Sequence, residues 1–486
     1  MIEVNKYLLS LLLQRALTIS LPLPTLLLIT ILLAIVSPIT SHAEGLIEPE
    51  TLDGGVVIEP DILRTAPNSS GMFSQELWSI HGQFTNVTQG HPSFKAPYSG
   101  AYSLNSTSDN QHTNDTTLYI GARLWQGGEF YINPEIDEGF GFNNTLGAAG
   151  FPNGEAYKVG KNHPYLRWHR IFIRQVISLG EEEQTVEAGA NQLAGSKAAE
   201  NITFTIGKFS AVDIFDTNAY AHDPRADFLN WSILDAGAFD YAADAWGYSI
   251  GLAAEWTQSW WTLRGGLFNL SKIPNSDELE KHFSQYAFIG ELEERHQWLG
   301  RPGKLKVLGF VNRGRMANYD DAVHLAQQSN SIPDVGLVRH FSSRPGMAIN
   351  LEQELSTDLG MFMRVSMNDG SKEAFDFTDI NKSLSAGLSL HGNAWGRPDD
   401  TLGIAGVVNG LSGAARDYFS AGGLGILVGD GQLPHYSTER ILETFYSLKL
   451  NKLCRVGLDY QYIANPAYNS DRGPVSIFGF RGHFEF

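Results

Sequence analysis

Charged side chains fall at regular places in this chain, and their spacing limits the chemistry open to them. Arg170 and Arg174 stand four apart, so in an extended segment they share one face. Glu255 and Arg264 flank a short turn near Gln258 and Ser259, which puts them diagonally near each other across a hairpin. Arg364 sits on the polar side of another alternating run, Glu352 and Glu354 share a face, and so do Arg455 and Asp459. The densest polar stretch holds Asp213, Asp216, Asn218, Tyr220, Asp223 and Arg225, with Lys208 just before it. Guanidinium and carboxylate groups grip hydroxyls in pairs, and aromatic faces stack on apolar ring surfaces. Arg and Glu ladders beside Trp and Tyr therefore suit a neutral, hydroxyl-rich solute. For each charge a plainer reading stays open, that it only keeps a wide bore wet.

Other chemistries lack their signatures. There is no GxxxxGK[ST] and no HExxH, so neither a cofactor nor a catalytic centre is expected. The run from Asp213 to Arg225 lacks the central Gly and distal Glu of a calcium loop; a loop folding into or over a pore mouth fits it better. His163 and His169 are poorly spaced for a shared ion in a segment that reads as a strand, so no metal site is expected. Cys454 is the only cysteine, which excludes a disulfide framework. A formal charge of −18 argues against a nucleic-acid partner.

The elements that must carry these charges show a period of two. From Trp246 to Trp256, even positions are large and apolar while odd positions are small or polar. The same holds for Leu118 to Leu124, Leu359 to Met367, Lys382 to Leu390, Glu443 to Leu450 and Arg455 to Tyr462. About sixteen such segments, most roughly 9–12 residues long, suit tilted strands crossing a bilayer. A soluble sandwich would have shorter strands and a dry second face. Here one face carries Arg, Glu, Asp and His and the other is thick with aromatics, as in a barrel with a wet bore and lipid outside. Short turns alternate with long loops, such as 313–346. The last strand sets Phe478, Phe480, Phe484 and Phe486 on one face, and the terminal Phe486 resembles the signal by which outer-membrane barrels are recognised by their assembly machinery.

The expected fold class is thus all-β: a transmembrane antiparallel β-barrel of about sixteen strands over 77–486, with long extracellular loops. Residues 1–43 read as a cleaved signal peptide, with Lys6 and Arg15, an apolar stretch from Leu17 to Val36, and Ser41, His42, Ala43 before the cut. A membrane anchor is the alternative for that stretch. Residues 44–76 read as a periplasmic segment. The expected location is the outer membrane of a Gram-negative cell, with lipid as the outer partner. A barrel enzyme and a polysaccharide exporter are the alternatives to a passive channel. No Ser–His pair supports the first, and the mixed signs of the candidate charges favour neutral solutes over the second.

Several separated motifs also resemble the OprB-type carbohydrate-selective porins, in order. They are Gly207-Lys208-Phe209 with Asp213-Ile214-Phe215-Asp216-Thr217-Asn218-Ala219-Tyr220-Ala221 and Phe228-Leu229-Asn230; Asp459-Tyr460-Gln461-Tyr462-Ile463-Ala464-Asn465-Pro466 with Asp471-Arg472-Gly473-Pro474; and Gly139-Phe140-Gly141 with Gly147 and Ala149-Gly150-Phe151. The resemblance implies sixteen antiparallel strands and energy-independent diffusion of mono- or oligosaccharides through a constriction. The residues expected to line it are Arg170, Arg174, Lys208, Asp213, Asp216, Asn218, Glu255, Arg264 and Arg364.

Overall fold

A computed structural model describes Thr65–Ala66, residues 75–376 and residues 378–486. The apolar stretch and cleavage point expected within 1–43, and most of the segment 44–76, lie outside the described residues. Thr65–Ala66 pairs with Gln75–Glu76 in a two-stranded ribbon.

Alternating side chains let each strand bury one face and wet the other, and here the strands close on themselves into a barrel of sixteen. They are β1 (Trp78–His91), β2 (Asp109–Trp125), β3 (Gly128–Gly139), β4 (Lys161–Ser178), β5 (Asn201–Phe209), β6 (Ser249–Thr257), β7 (Trp261–Asn269) and β8 (Tyr286–Trp298). The second half continues with β9 (Arg301–Met316), β10 (His340–Glu354), β11 (Leu359–Asn368), β12 (Lys382–Gly392), β13 (Arg397–Gly410), β14 (Glu439–Lys449), β15 (Cys454–Ala464) and β16 (Val475–Glu485). Every neighbouring pair is antiparallel. β16 closes on β1 with Phe478 opposite Gly90 and Glu485 opposite Gln83. The Phe486 amide donates to the Gly82 carbonyl, and the Gly82 amide donates to the Phe486 carbonyl, so the last residue is stitched into the first strand.

Ile171, Ile173, Leu252, Trp256, Leu263, Phe288, Met363 and Val365 lie exposed on the outside of the barrel. Phe478, Phe480, Phe484 and Phe486 share that outer face. Apolar side chains there suit contact with hydrocarbon, and closure leaves no unpaired strand edge in it. No helix among the described residues is long and apolar enough to cross a membrane.

Short turns gather at one end of the barrel, some of them built on glycine in left-handed backbone, such as Gly127 (φ 72°) and Gly300 (φ 75°). Long loops gather at the other. One connection breaks the rule. Residues 179–200, at the short-turn end, carry a small hairpin of Glu183–Val186 with Gly195–Ala198.

Two boundaries differ from the alternation pattern. The strand expected from Trp246 starts at Ser249. Asp244 Oδ1 accepts from the amides of Trp246 and Tyr248 at 3.0 and 3.2 Å, and Gly247 has φ 95°, so these residues form a turn with both rings buried. The loop expected at 313–346 is 317–339, because β9 and β10 run past the expected ends and pair from Gly303 with Gln353 to Met316 with His340. The loop itself holds a helix, Tyr319–Ser329, capped by the Asn318 side chain on the Asp320 amide.

Candidate functional site

After β5 the chain turns inward, and residues 210–248 pack inside the barrel. Polar side chains of the wall hold them by their backbone groups. Glu443 accepts from the amides of Leu229 (2.5 Å) and Asn230 (3.0 Å). Glu352 accepts from Ala219 N–H at 2.8 Å, and Ser366 Oγ accepts from Ala238 N–H at 3.0 Å. Arg344 Nη1 donates to Asp240 Oδ2 at 2.7 Å, both side chains almost wholly buried. A buried amide without a partner would be destabilising, so these wall carboxylates define where the segment lies. Most of the anchors sit on β10, β11 and β14. The segment therefore leans on that side of the barrel and leaves open space against the opposite wall.

That space is a cavity of about 1080 Å³. The inner faces of β2 to β7 and the inserted segment line it, and so do Ala190, Asn191, Gln192 and Leu193 from the connection at the short-turn end. These four come from a tight turn in which Gly189 and Gln192 exchange backbone bonds. Asn133 Nδ2 donates to Asn191 Oδ1 at 2.8 Å, and Arg174 Nη1 donates to the Asn191 carbonyl at 2.9 Å. The cavity is thus flanked by two inserted pieces, one entering from each end.

Five of the expected residues meet there: Arg170, Arg174, Asp213, Glu255 and Arg264. Arg170 grips Asp213 with two parallel bonds, Nη2 to Oδ1 at 2.6 Å and Nε to Oδ2 at 2.8 Å. Asp213 Oδ2 also accepts from the Ser210 amide at 3.0 Å. Burial works against charge on Asp213, but the Arg170 guanidinium and the Ser210 N–H outweigh it and hold the carboxyl below its ordinary value. Glu255 and Arg264 stand directly opposite in the ladder rather than diagonally. Arg264 Nε donates to Glu255 Oε2 at 2.9 Å, while Nη1 lies 2.7 Å from Glu291 Oε1 and 3.0 Å from Glu293 Oε2. Arg174 lies over the Tyr131 ring at 5.2 Å.

The other four expected residues do not line the cavity. Asp216 and Arg364 are each about 1% exposed and paired at 3.3 Å. Arg364 also donates to the carbonyls of Ile233 (2.9 Å) and Ala221 (2.7 Å), so it pins the inserted segment to β11. Asn218 Nδ2 donates to Asn350 Oδ1 at 2.7 Å and is likewise an anchor. Lys208 follows Gly207 (φ 142°), and its Nζ lies 3.0 Å from Asp244 Oδ2. Away from the cavity, Glu354 pairs with Arg301 at 2.7 Å and Arg455 donates to the Asp399 carbonyl at 3.0 Å.

Alternation missed the aromatic part of the lining. Trp246 and Tyr248 face inward, with Arg167 at 3.5 Å from the Trp246 ring and Arg170 at 4.9 Å from the Tyr248 ring. It also missed Arg225, which lies 3.4 Å from both Asp115 and Glu155. The cavity therefore mixes charge of both signs with aromatic rings.

A closed sixteen-stranded antiparallel barrel with apolar outer strands, inward-folded loops and a polar inner cavity is the architecture of a porin. The profile of the carbohydrate-selective porin, OprB family, matches residues 83–486. The solved structure of OprB from Pseudomonas putida superposes with a TM-score of 0.63 at 14% identity, covering 84% of this chain and 94% of that one. The channel DcaP of Acinetobacter baumannii gives 0.44 at 10% identity, over 87% and 100%. OccK11 of Pseudomonas aeruginosa gives 0.41 at 8% identity, over 84% and 96%. No curated protein matches in sequence. The chain belongs to the OprB family of carbohydrate-selective porins. Its family and fold are those of outer-membrane channels, and its solutes are carbohydrates that cross by passive diffusion.

Proposed function

We propose that small carbohydrates, mono- or oligosaccharides, cross between the two inserted segments, held by Arg170, Arg174, Asp213, Glu255 and Arg264 and by the rings of Trp246 and Tyr248. The observation that carries this reading is the cavity itself, about 1080 Å³ with both signs of charge and aromatic faces around it. A bore of one sign would favour ions, whereas alternating donors and acceptors suit neutral hydroxyls. The paired arginines and carboxylates hold one another in place, so a sugar meets groups already oriented. The same proposal includes export by the segment 1–43, lipid against the outer face, and recognition of the strand ending at Phe486 by the barrel-assembly machinery. With that orientation the short-turn end faces the periplasm.

The test is single-channel conductance of the purified chain in a planar bilayer, titrated with glucose and then a disaccharide. Saturable block of the ion current supports a binding site in the bore. Open current with no block at any sugar concentration refutes the assignment of these residues.

A further inference from the structure

Beside the cavity, but outside the sugar path, lies a group of acidic side chains that the transport function does not use. Glu135 and Asp137 point inward from β3, and His169 points inward from β4; none is more than 2% exposed. His169 Nε2 lies 3.1 Å from Asp137 Oδ2 and 3.6 Å from Glu135 Oε1. One ligand atom from each of the three residues lies within 4.8 Å of the others. We propose that Glu135, Asp137 and His169 bind one divalent transition-metal cation, with Zn²⁺ as the best match.

Geometry comes first. Zinc holds nitrogen and oxygen ligands about 2.1 Å away in a tetrahedron, which sets neighbouring ligand atoms about 3.4 Å apart. The two separations from His169 Nε2, 3.1 and 3.6 Å, straddle that spacing. One imidazole with two carboxylates is a zinc set, whereas calcium and magnesium prefer oxygen alone. The Tyr157 hydroxyl donates to Glu135 Oε1 at 3.0 Å, and Tyr157 lines the cavity. The cavity therefore lies one side chain away from Glu135, on the side of Tyr157. Thr117 Oγ1 donates to Glu135 Oε2 at 2.5 Å and fixes that carboxylate from behind.

Unsatisfied groups are the second observation. Asp137 Oδ1, on one of these carboxylates, is buried without a hydrogen-bond partner, as is Asp115 Oδ1 close by. Such atoms are rare in folded proteins and often mark an ion or water.

Charge is the third. Asp115, Glu135, Asp137 and Glu155 are all at most 6% exposed. The cation facing them is Arg225, 3.4 Å from Asp115, 3.4 Å from Glu155 and 3.8 Å from Glu135. Tyr248 and Tyr157 pack their rings on His169, at 4.3 and 5.8 Å, and bring no charge. Even with His169 protonated, four carboxylates face two cations. Buried charge of one sign is costly unless a counter-ion or protons cancel it, and a divalent ion cancels it while using the groups as they stand.

The test uses the whole exported chain without a polyhistidine tag, stripped with a chelator and then titrated with zinc against a chromophoric competitor. Wild type is expected to take one equivalent with a Kd of about 1 µM or below. Asp137→Asn and His169→Gln should each weaken binding by at least about tenfold while the barrel remains heat-modifiable. Zinc should also shift the ion selectivity of the wild-type current toward anions, and leave that of Asp137→Asn unchanged. No wild-type binding up to about 0.1 mM zinc overturns the proposal, and so does binding that neither substitution alters, which would place the ion on surface histidines. If either variant fails to form a barrel, X-ray absorption of zinc-loaded wild type decides. One nitrogen with two or more oxygens supports the site, and a shell of several imidazoles overturns it. Sugar block is measured separately, so the zinc result stands apart from the sugar assignment.

Discussion

Replacing Arg364 by Met removes a guanidinium that is about 1% exposed and leaves its partner in place. The methionine keeps the apolar stem. It loses the bonds to Asp216 Oδ1 (3.3 Å), to the Asp216 carbonyl (3.2 Å), and to the carbonyls of Ile233 (2.9 Å) and Ala221 (2.7 Å). Asp216 keeps the Ala236 amide at 2.6 Å and the Asn350 side chain at 2.7 Å. Breaking one partner of a buried pair destabilises by about 3–5 kcal/mol, because a charge is left uncompensated. At about 1.4 kcal/mol per tenfold, the released state of this corner of the segment grows roughly a hundredfold to a few thousandfold. Glu443, Glu352 and the Arg344–Asp240 pair still hold the rest, so the segment flickers rather than leaves. The expected record in a planar bilayer is new, higher-conductance substates and added current noise. Trypsin should also cut faster at Arg225, within the segment. A quiet current at the wild-type level, with unchanged cleavage and a heat-modifiable barrel, would refute the assignment of Arg364 as an anchor.

Arg264→Gln should weaken sugar block of the current several-fold, read from the half-blocking concentration, because Glu255, Glu291 and Glu293 lose their shared donor. The ordinary carboxyl value for Asp213 is 3.8 and the folded one lies lower, so the stability it contributes is full above that value and is lost as pH falls below it. Current noise should stay flat from neutral pH down to about 4 and rise below it, and Arg170→Gln should move the onset to higher pH. Deleting Phe486 removes its two backbone bonds to Gly82 and should lower the yield of heat-modifiable barrel in the membrane, measured by gel shift.

The barrel was readable because a period of two needs only neighbours in sequence. Met363, Val365 and Met367 had to face one way and Arg364 the other, and they do. What alternation lacks is depth. It put Arg364 on the inner side, but an inner side chain can face open water or the back of an inserted segment, and Arg364 faces the segment, where Asp216 pairs with it. Register was the second gap. The partners of His169 are Glu135 and Asp137 on the adjacent strand, while the sequence neighbour His163 is exposed and bonds to Asn162 at 3.2 Å. Nothing local pairs those strands; the ladder does, with a bulge between Asn133 and Pro134. Trp246 and Tyr248 show the third gap, since they continue an alternating pattern into a turn that Asp244 and Gly247 create. The inward fold of 187–194 carried no period at all.

β5 is a nine-residue strand, and both inserted pieces grow from it, one before Asn201 and one after Phe209. The two inserted pieces therefore form one cassette, which meets the wall residues Arg170, Arg174, Glu255 and Arg264 on neighbouring strands. Residues 179–248 could be exchanged between related barrels as one block, moving the entry and exit contacts together. Recipient barrels would have to keep the inner wall side chains that receive it, among them Arg364, Asn350, Glu352 and Glu443. Slipping β5 by a single residue would turn its inner face outward and shift both pieces at once, so register errors here would appear as lost selectivity in a barrel that still conducts.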